Sequence, residues 1–218
     1  MAAKHNLRGP DAHYGGTLSR SGPRYLWPRV PDFQPAATSV SIPAHENSRP
    51  GRSDRVHAGR DGAGRAASPE FTHSSQTEWL NSKPLRLDQL RGKVVLVEFW
   101  AFECINCRNT QPWLHAIQQR YADKDLVIIS VHTPELPEER STANVRAAVA
   151  EQKITNPVMV DGDYSYWKAL DNEYWPAFYV IDKHGRIAAT AIGEMHVGQA
   201  RAAELQQAIE KELAADAS

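Results

Sequence analysis

The chain has 218 residues, with 25 Lys and Arg against 26 Asp and Glu and a formal net charge of −1. That length suits one domain or a small pair, and so even a charge balance gives no reason to expect a nucleic-acid partner. Two cysteines are too few for a disulfide-stapled scaffold or a four-ligand zinc site, and the nine histidines show no paired-ligand spacing, so no metal or other cofactor is expected.

The charge is unevenly spread. Residues 1–70 carry ten basic against six acidic side chains, and residues 71–218 carry fifteen against twenty. The first 70 residues are rich in Pro, Gly, Ser, Arg and His and show neither a helical nor a strand period, so a disordered or irregular extension is expected there. Its basic charge is diluted, which favours a solvated tail over an anionic-surface contact, although Tyr25, Trp27 and Phe33 are candidates for docking on the folded part. Met1 to Val30 lack the apolar core of a secretory signal, and no stretch reaches the ~20 apolar residues that span a bilayer.

A single domain is expected over residues 71–218. Glu78-Trp79-Leu80 and Pro84-Leu85-Arg86-Leu87 read as short edge elements, and Arg91-Gly92-Lys93 as a turn. Residues 94–100 are apolar on both faces except at Glu98, as in a central strand covered on both sides. A helix is predicted from about Asn106 to Tyr121, a buried strand over 126–131, and an amphipathic helix from Glu138 to Gln152. A short strand over 157–160, a helical turn over 164–170 and a strand over 177–181 follow. The turn Asp182-Lys183-His184-Gly185 returns the chain as a hairpin over 186–191, and a helix over 197–213 closes it. This order is α/β, with the strands over 94–100 and 126–131 parallel by the right-handed crossover rule.

The chemistry centres on Cys104-Ile105-Asn106-Cys107, which lies between a strand and the start of a helix. A helix N-terminus offers unpaired N–H groups and partial positive charge, both of which stabilise a thiolate. Two sulfurs at this spacing can also close a small ring and cycle between dithiol and disulfide. Glu103 opposes thiolate formation and Arg108 favours it. Glu98, the lone charge of its strand, precedes Cys104 by six residues. Burial would lift its pKa above the ordinary value of about 4.3, into the range of a general base, whereas a solvent-facing Glu would have no such role.

Val95-Leu96-Val97-Glu98-Phe99-Trp100-Ala101, Cys104-x-x-Cys107, Pro112 and Trp175-Pro176-Ala177-Phe178 together resemble the thioredoxin superfamily. Arg91-Gly92-Lys93-Val94, Cys104-Ile105-Asn106-Cys107 and Val131-His132-Thr133-Pro134-Glu135 are similar to TlpA-like reductases and to the thioredoxin module of DipZ-type proteins, a redoxin-like domain. The resemblance covers roughly residues 77–213. It implies a thioredoxin fold, a central mixed β-sheet flanked by helices. It also implies a protein-disulfide oxidoreductase, in which Cys104 attacks, Cys107 resolves and Glu98 relays the resolving thiol's proton. Pro176 would follow a cis bond, and Trp175 would offer its backbone and ring to substrate. Pro112 would be structural and Trp100 a packing residue. His132 is read as structural or surface ahead of lining the site.

The partners implied are protein thiols and disulfides, with an upstream dithiol as electron donor; a monomer is expected. Two other functions stay open. A peroxiredoxin-like peroxidase needs Thr or Ser three residues before the reactive cysteine, where this chain has Ala101. A non-catalytic binding module would present the Trp175–Pro176 groove alone. The resemblance implies a periplasmic or other extracytoplasmic setting, and the lack of a visible signal keeps a cytoplasmic one as the alternative.

Overall fold

The computed structural model describes the backbone of residues 57–58 and the whole of residues 64–216. The extension expected over 1–70 lies almost wholly outside the described residues, as do Tyr25, Trp27 and Phe33. The strands are β1 (His57–Ala58), β2 (Trp79–Leu80), β3 (Val94–Trp100), β4 (Leu126–His132), β5 (Val158–Val160), β6 (Ala177–Ile181) and β7 (Ile187–Ile192). The helices are α1 (Ile105–Arg120), α2 (Thr142–Glu151), α3 (Ser165–Ala169) and α4 (Ala200–Ala214).

One mixed sheet runs in the order β1-β7-β6-β3-β4-β5-β2. β3 pairs parallel with β4 and antiparallel with β6, which makes it the central strand. All seven of its residues are buried, as its continuous apolar run requires of a strand covered on both faces. Side chains alternate across the sheet. Val94 and Leu96 join Trp113, Leu114 and Ile117 of α1 and Leu205 and Ile209 of α4. Val95, Val97 and Phe99 point the other way, into Phe71, Trp79, Tyr166 and Leu170. Trp100 leads a third cluster, which holds Phe102, both cysteines, and Val145, Ala148 and Val149 of α2.

Three elements differ from the sequence expectation. The helix predicted from Glu138 divides into a 3-10 turn, Pro137–Arg140, and α2. The break falls at Ser141, whose extended backbone and side chain cap α2 by accepting from Asn144 N–H at 3.4 Å. The last helix begins at Ala200 because Gly198 has φ +84°, outside the right-handed helical region. Pro84–Leu87 forms no strand; a 3-10 turn over Leu87–Leu90 follows it, with Glu70 accepting from the N–H groups of Leu87 and Asp88.

Residues 64–68 are tied to the β6–β7 hairpin. Ser68 N–H reaches Gly185 O at 2.9 Å, and Arg65 pairs with Glu212 and Asp182.

Candidate active site

Cys104 is the N-cap of α1. Its backbone is extended, and its Sγ accepts from the Cys107 N–H at 3.3 Å. Cys104 O also receives the N–H groups of Cys107 and Arg108, both at 3.1 Å. The first helical donors therefore converge on this residue, as they do on any N-cap, but here the capping atom is a sulfur. Cys104 and Cys107 are joined as a disulfide, with Cα atoms 5.3 Å apart. Cys104 is largely covered, at 8% exposure, with Phe102 and Trp175 in the same apolar cluster. It remains more open than Cys107, at 1%. The helix continues through Pro112, which sits on its exposed side.

Glu98 lies on the α1 face of β3, between Leu96 and Trp100, and is fully buried. Parallel register places it opposite Ser130 of β4, whose hydroxyl donates to Oε2 at 2.7 Å. Gln111 of α1 approaches Oε1 with its amide nitrogen at 3.5 Å. Gln111 is four residues after Cys107, one helical turn away on the same side of α1. Burial pushes the Glu98 pKa up to about 7, against a smaller downward pull from Ser130.

The turn before Cys104 is held from several sides. Arg108 donates from Nε to Phe102 O at 2.7 Å, and its terminal nitrogen lies 3.6 Å from Glu103, so the acid beside Cys104 has a cation partner. Glu139 is buried at 1% exposure and accepts from the N–H groups of Glu103, Glu135 and Leu136 at 2.8, 2.6 and 2.8 Å. It thus ties the Cys104 turn to the loop after β4. His132 is fully buried rather than at the surface. Its ring stacks on Phe102 at 5.6 Å and meets Trp100 edge-on at 5.1 Å. Neither ring nitrogen meets a partner in another residue, and burial lowers its pKa to about 4, which keeps it neutral.

The Trp175–Pro176 bond is cis, directly before β6. Trp175 is half-buried, donates from its indole N–H to Thr133 O at 3.0 Å, and packs on Trp167 and on the cysteine cluster. The structure therefore brings Cys104, Cys107 and Trp175 into one cluster. Pro176 leads into β6 on one side of β3, while Glu98 anchors to Ser130 of β4 on the other. Sequence reasoning missed Ser130, Gln111, Glu139 and Asn156, whose amide nitrogen donates to Ser130 Oγ at 3.0 Å. Ser130 had a faint signal, a polar residue inside an apolar strand, but Glu139 fell in the first turn of the helix predicted from Glu138, where nothing in the sequence marks it as buried.

A second polar cluster lies apart from the dithiol. His73, Asp161 and Asp163 bring ligand-type atoms within 4.8 Å of one another. The group is satisfied internally: His73 sits between Asp161 at 2.9 Å and Glu78 at 3.1 Å, and Asp161 also accepts from the N–H groups of Tyr166 and Trp167. It fastens the segment before β2 to the start of α3.

A mixed sheet with its central strand running into a helix-capping dithiol, over a buried acid and beside a cis-proline strand, defines a thioredoxin-fold protein. Solved structures share this fold. Thioredoxin-like superfamily protein SPOA0173 matches with TM-score 0.62 at 25% identity, over 70% of this chain and 99% of that one. A putative thioredoxin from Neisseria meningitidis matches with TM-score 0.56 at 27% identity, over 70% and 95%. The Redoxin family model matches residues 63–209, and the chain belongs to the redoxin family. Protein DipZ of Mycobacterium tuberculosis is 43% identical over 121 residues, which are 54% of this chain and 17% of DipZ. Thiol-disulfide oxidoreductase YkuV of Bacillus subtilis is 33% identical over 119 residues, 55% of this chain and 78% of YkuV. The chain thus spans under a fifth of its DipZ relative.

Proposed function

We propose that this protein is a thiol–disulfide oxidoreductase that uses the Cys104–Cys107 couple to reduce protein disulfides. The observation that carries this reading is Cys104 at the N-cap of α1, with its sulfur accepting the Cys107 N–H and in disulfide contact with Cys107. In the reduced protein the Cys104 thiolate attacks a substrate disulfide, forms a mixed disulfide and releases one substrate thiolate. Cys107 then gives its proton to ionised Glu98 and attacks Cys104 Sγ, which releases the second substrate thiolate and closes the Cys104–Cys107 disulfide. Two electrons have passed to the substrate, and an upstream dithiol must restore the couple. The cis Trp175–Pro176 strand is the substrate ledge, where an extended chain pairs with the backbone.

Similarity to the thiol-disulfide oxidoreductase YkuV and membership of the redoxin family support this chemistry. Similarity to TlpA-like reductases supports the reductive direction, an extracytoplasmic setting and a monomer acting on protein thiols, with a cytoplasmic setting as the alternative. Among the described residues, no helix is long and apolar enough to cross a membrane. Residues 71–218 form the catalytic domain in this reading, and residues 1–70 its extension.

Insulin reduction coupled to dithiothreitol tests the activity. Wild type is expected to turn over and Cys104→Ser to lose activity; equal rates in the two would refute the reading. The potential of the couple tests direction. A value near roughly −270 mV marks a reductant, and one near roughly −120 mV an oxidant.

A further inference from the structure

The polarity of the hydrogen bonds around Glu98 can be read atom by atom. Asn156 sends its amide group to two acceptors, Pro157 O at 3.2 Å and Ser130 Oγ at 3.0 Å. A carbonyl oxygen only accepts, so the Asn156 atom facing Pro157 must be the NH2 nitrogen. The same nitrogen therefore donates to Ser130 Oγ. With its oxygen already accepting, Ser130 directs its one hydroxyl proton to Glu98 Oε2 at 2.7 Å. Among the described residues Oε2 is the one acceptor within reach of that proton, and turning it away would leave a buried hydroxyl proton unpaired, so Oε2 is held as an acceptor whether Glu98 is ionised or neutral. The other oxygen, Oε1, faces Gln111 of α1, whose own Oε1 has no hydrogen-bond partner. Rotation of that amide offers either a donor to a carboxylate or an acceptor to a carboxylic acid.

We propose that Ser130, oriented by Asn156, is a positioning residue that confines the exchangeable proton of Glu98 to Oε1, the oxygen facing the helix that carries Cys107. The proposal rests on the proton role given to Glu98 above. The register partners of Glu98, Ser130 on β4 and Phe178 on β6, and the Gln111 amide on α1 carry no charge, and burial and the Ser130 hydroxyl alone account for the shift of its pKa. The Ser130 donor is therefore the main local influence set against burial. Asn156 also lines a cleft of about 370 Å³ with Gln118, Tyr121 and Thr155, so this end of the chain of bonds reaches the edge of the fold. The arrangement sends the proton inward to the dithiol rather than outward to that cleft.

The test titrates the Glu98 carboxyl by isotope-edited infrared or carbon NMR in the full chain, with the disulfide closed so that no thiol titrates. Removing a hydrogen bond to a charged acceptor in Ser130→Ala is expected to raise the Glu98 pKa by about 1–2 pH units. Ser130→Thr keeps the hydroxyl and is expected to restore it. Asn156→Ala, which frees the hydroxyl to turn, is expected to give a smaller rise and serves as the second variant if Ser130→Ala does not fold. A Glu98 pKa unchanged in Ser130→Ala, or in Asn156→Ala where only that variant folds, overturns the proposal. The pH profile of disulfide reduction is read in parallel. A limb that moves with the carboxyl pKa supports both the positioning role and the proton role. A carboxyl that moves while the limb stays fixed supports the hold of Ser130 and refutes the catalytic use of Glu98.

Discussion

Replacing Glu98 by Gln should act on stability and on turnover in opposite directions. Glu98 is fully buried, and its pKa stands at about 7 against an ordinary 4.5. The native state therefore holds a proton that the unfolded chain has already lost between those values. For such a group stability is greatest below the unfolded pKa and falls as pH rises through the folded one. At about 1.4 kcal/mol per pH unit, the full cost above pH 7 is about 3 kcal/mol. Gln carries no charge to desolvate. Glu98→Gln should therefore gain about 2–3 kcal/mol relative to wild type between pH 5 and pH 8. The assay is urea unfolding of both oxidised proteins across that range, which keeps the cysteines from titrating. The same variant should reduce disulfides more slowly, since the proposed mechanism has Glu98 take the proton of Cys107. A stability difference that stays flat from pH 5 to pH 8 would show that Glu98 is ionised in the fold across that whole range, with its pKa not raised, and the role of a base poised near neutrality would fall with it.

Cys107→Ala should leave Cys104 able to attack but unable to be released, so mass spectrometry should find a mixed disulfide with substrate that is absent in wild type. Glu139→Ala strips three backbone N–H groups of their common acceptor and should cost about 2–4 kcal/mol in urea unfolding, whereas Glu139→Gln should keep part of that. The pKa of His73 is raised to about 9 by Asp161 and Glu78, so its ion pair stabilises fully below pH 6.5 and is lost as pH rises through 9. His73→Gln should destabilise by about 2 kcal/mol at pH 6, discounted for the solvent-facing Glu78, and the difference should shrink above pH 9 when followed by thermal melts.

The local pattern was enough to place the reactive pair. A continuous apolar run marks β3 as central, and a Cys-x-x-Cys at its exit must sit at the start of the following helix. Both follow from short-range rules of burial and capping, as does the α/β order of the remaining elements. The surroundings of the pair were not legible in this way. Glu98 meets Ser130 only because β3 and β4 pair parallel in one register, and a shift by a single residue would send Ser130 to the opposite face. Asn156 and Gln111 reach that point from a distant loop and from a helix turn. Glu139 is polar in a polar stretch, and what buries it is the convergence of three backbone donors from two loops. His132 ends a strand in a way that fits surface or core equally, until Phe102 and Trp100 close over it. The sequence by itself determined which atoms are available for the proposed chemistry, because the two cysteines, a helix terminus and Glu98 lie within a few residues of one another. Only the tertiary structure decided how their protons are held, because that depends on donors and acceptors brought together from strands, loops and helices far apart in the chain.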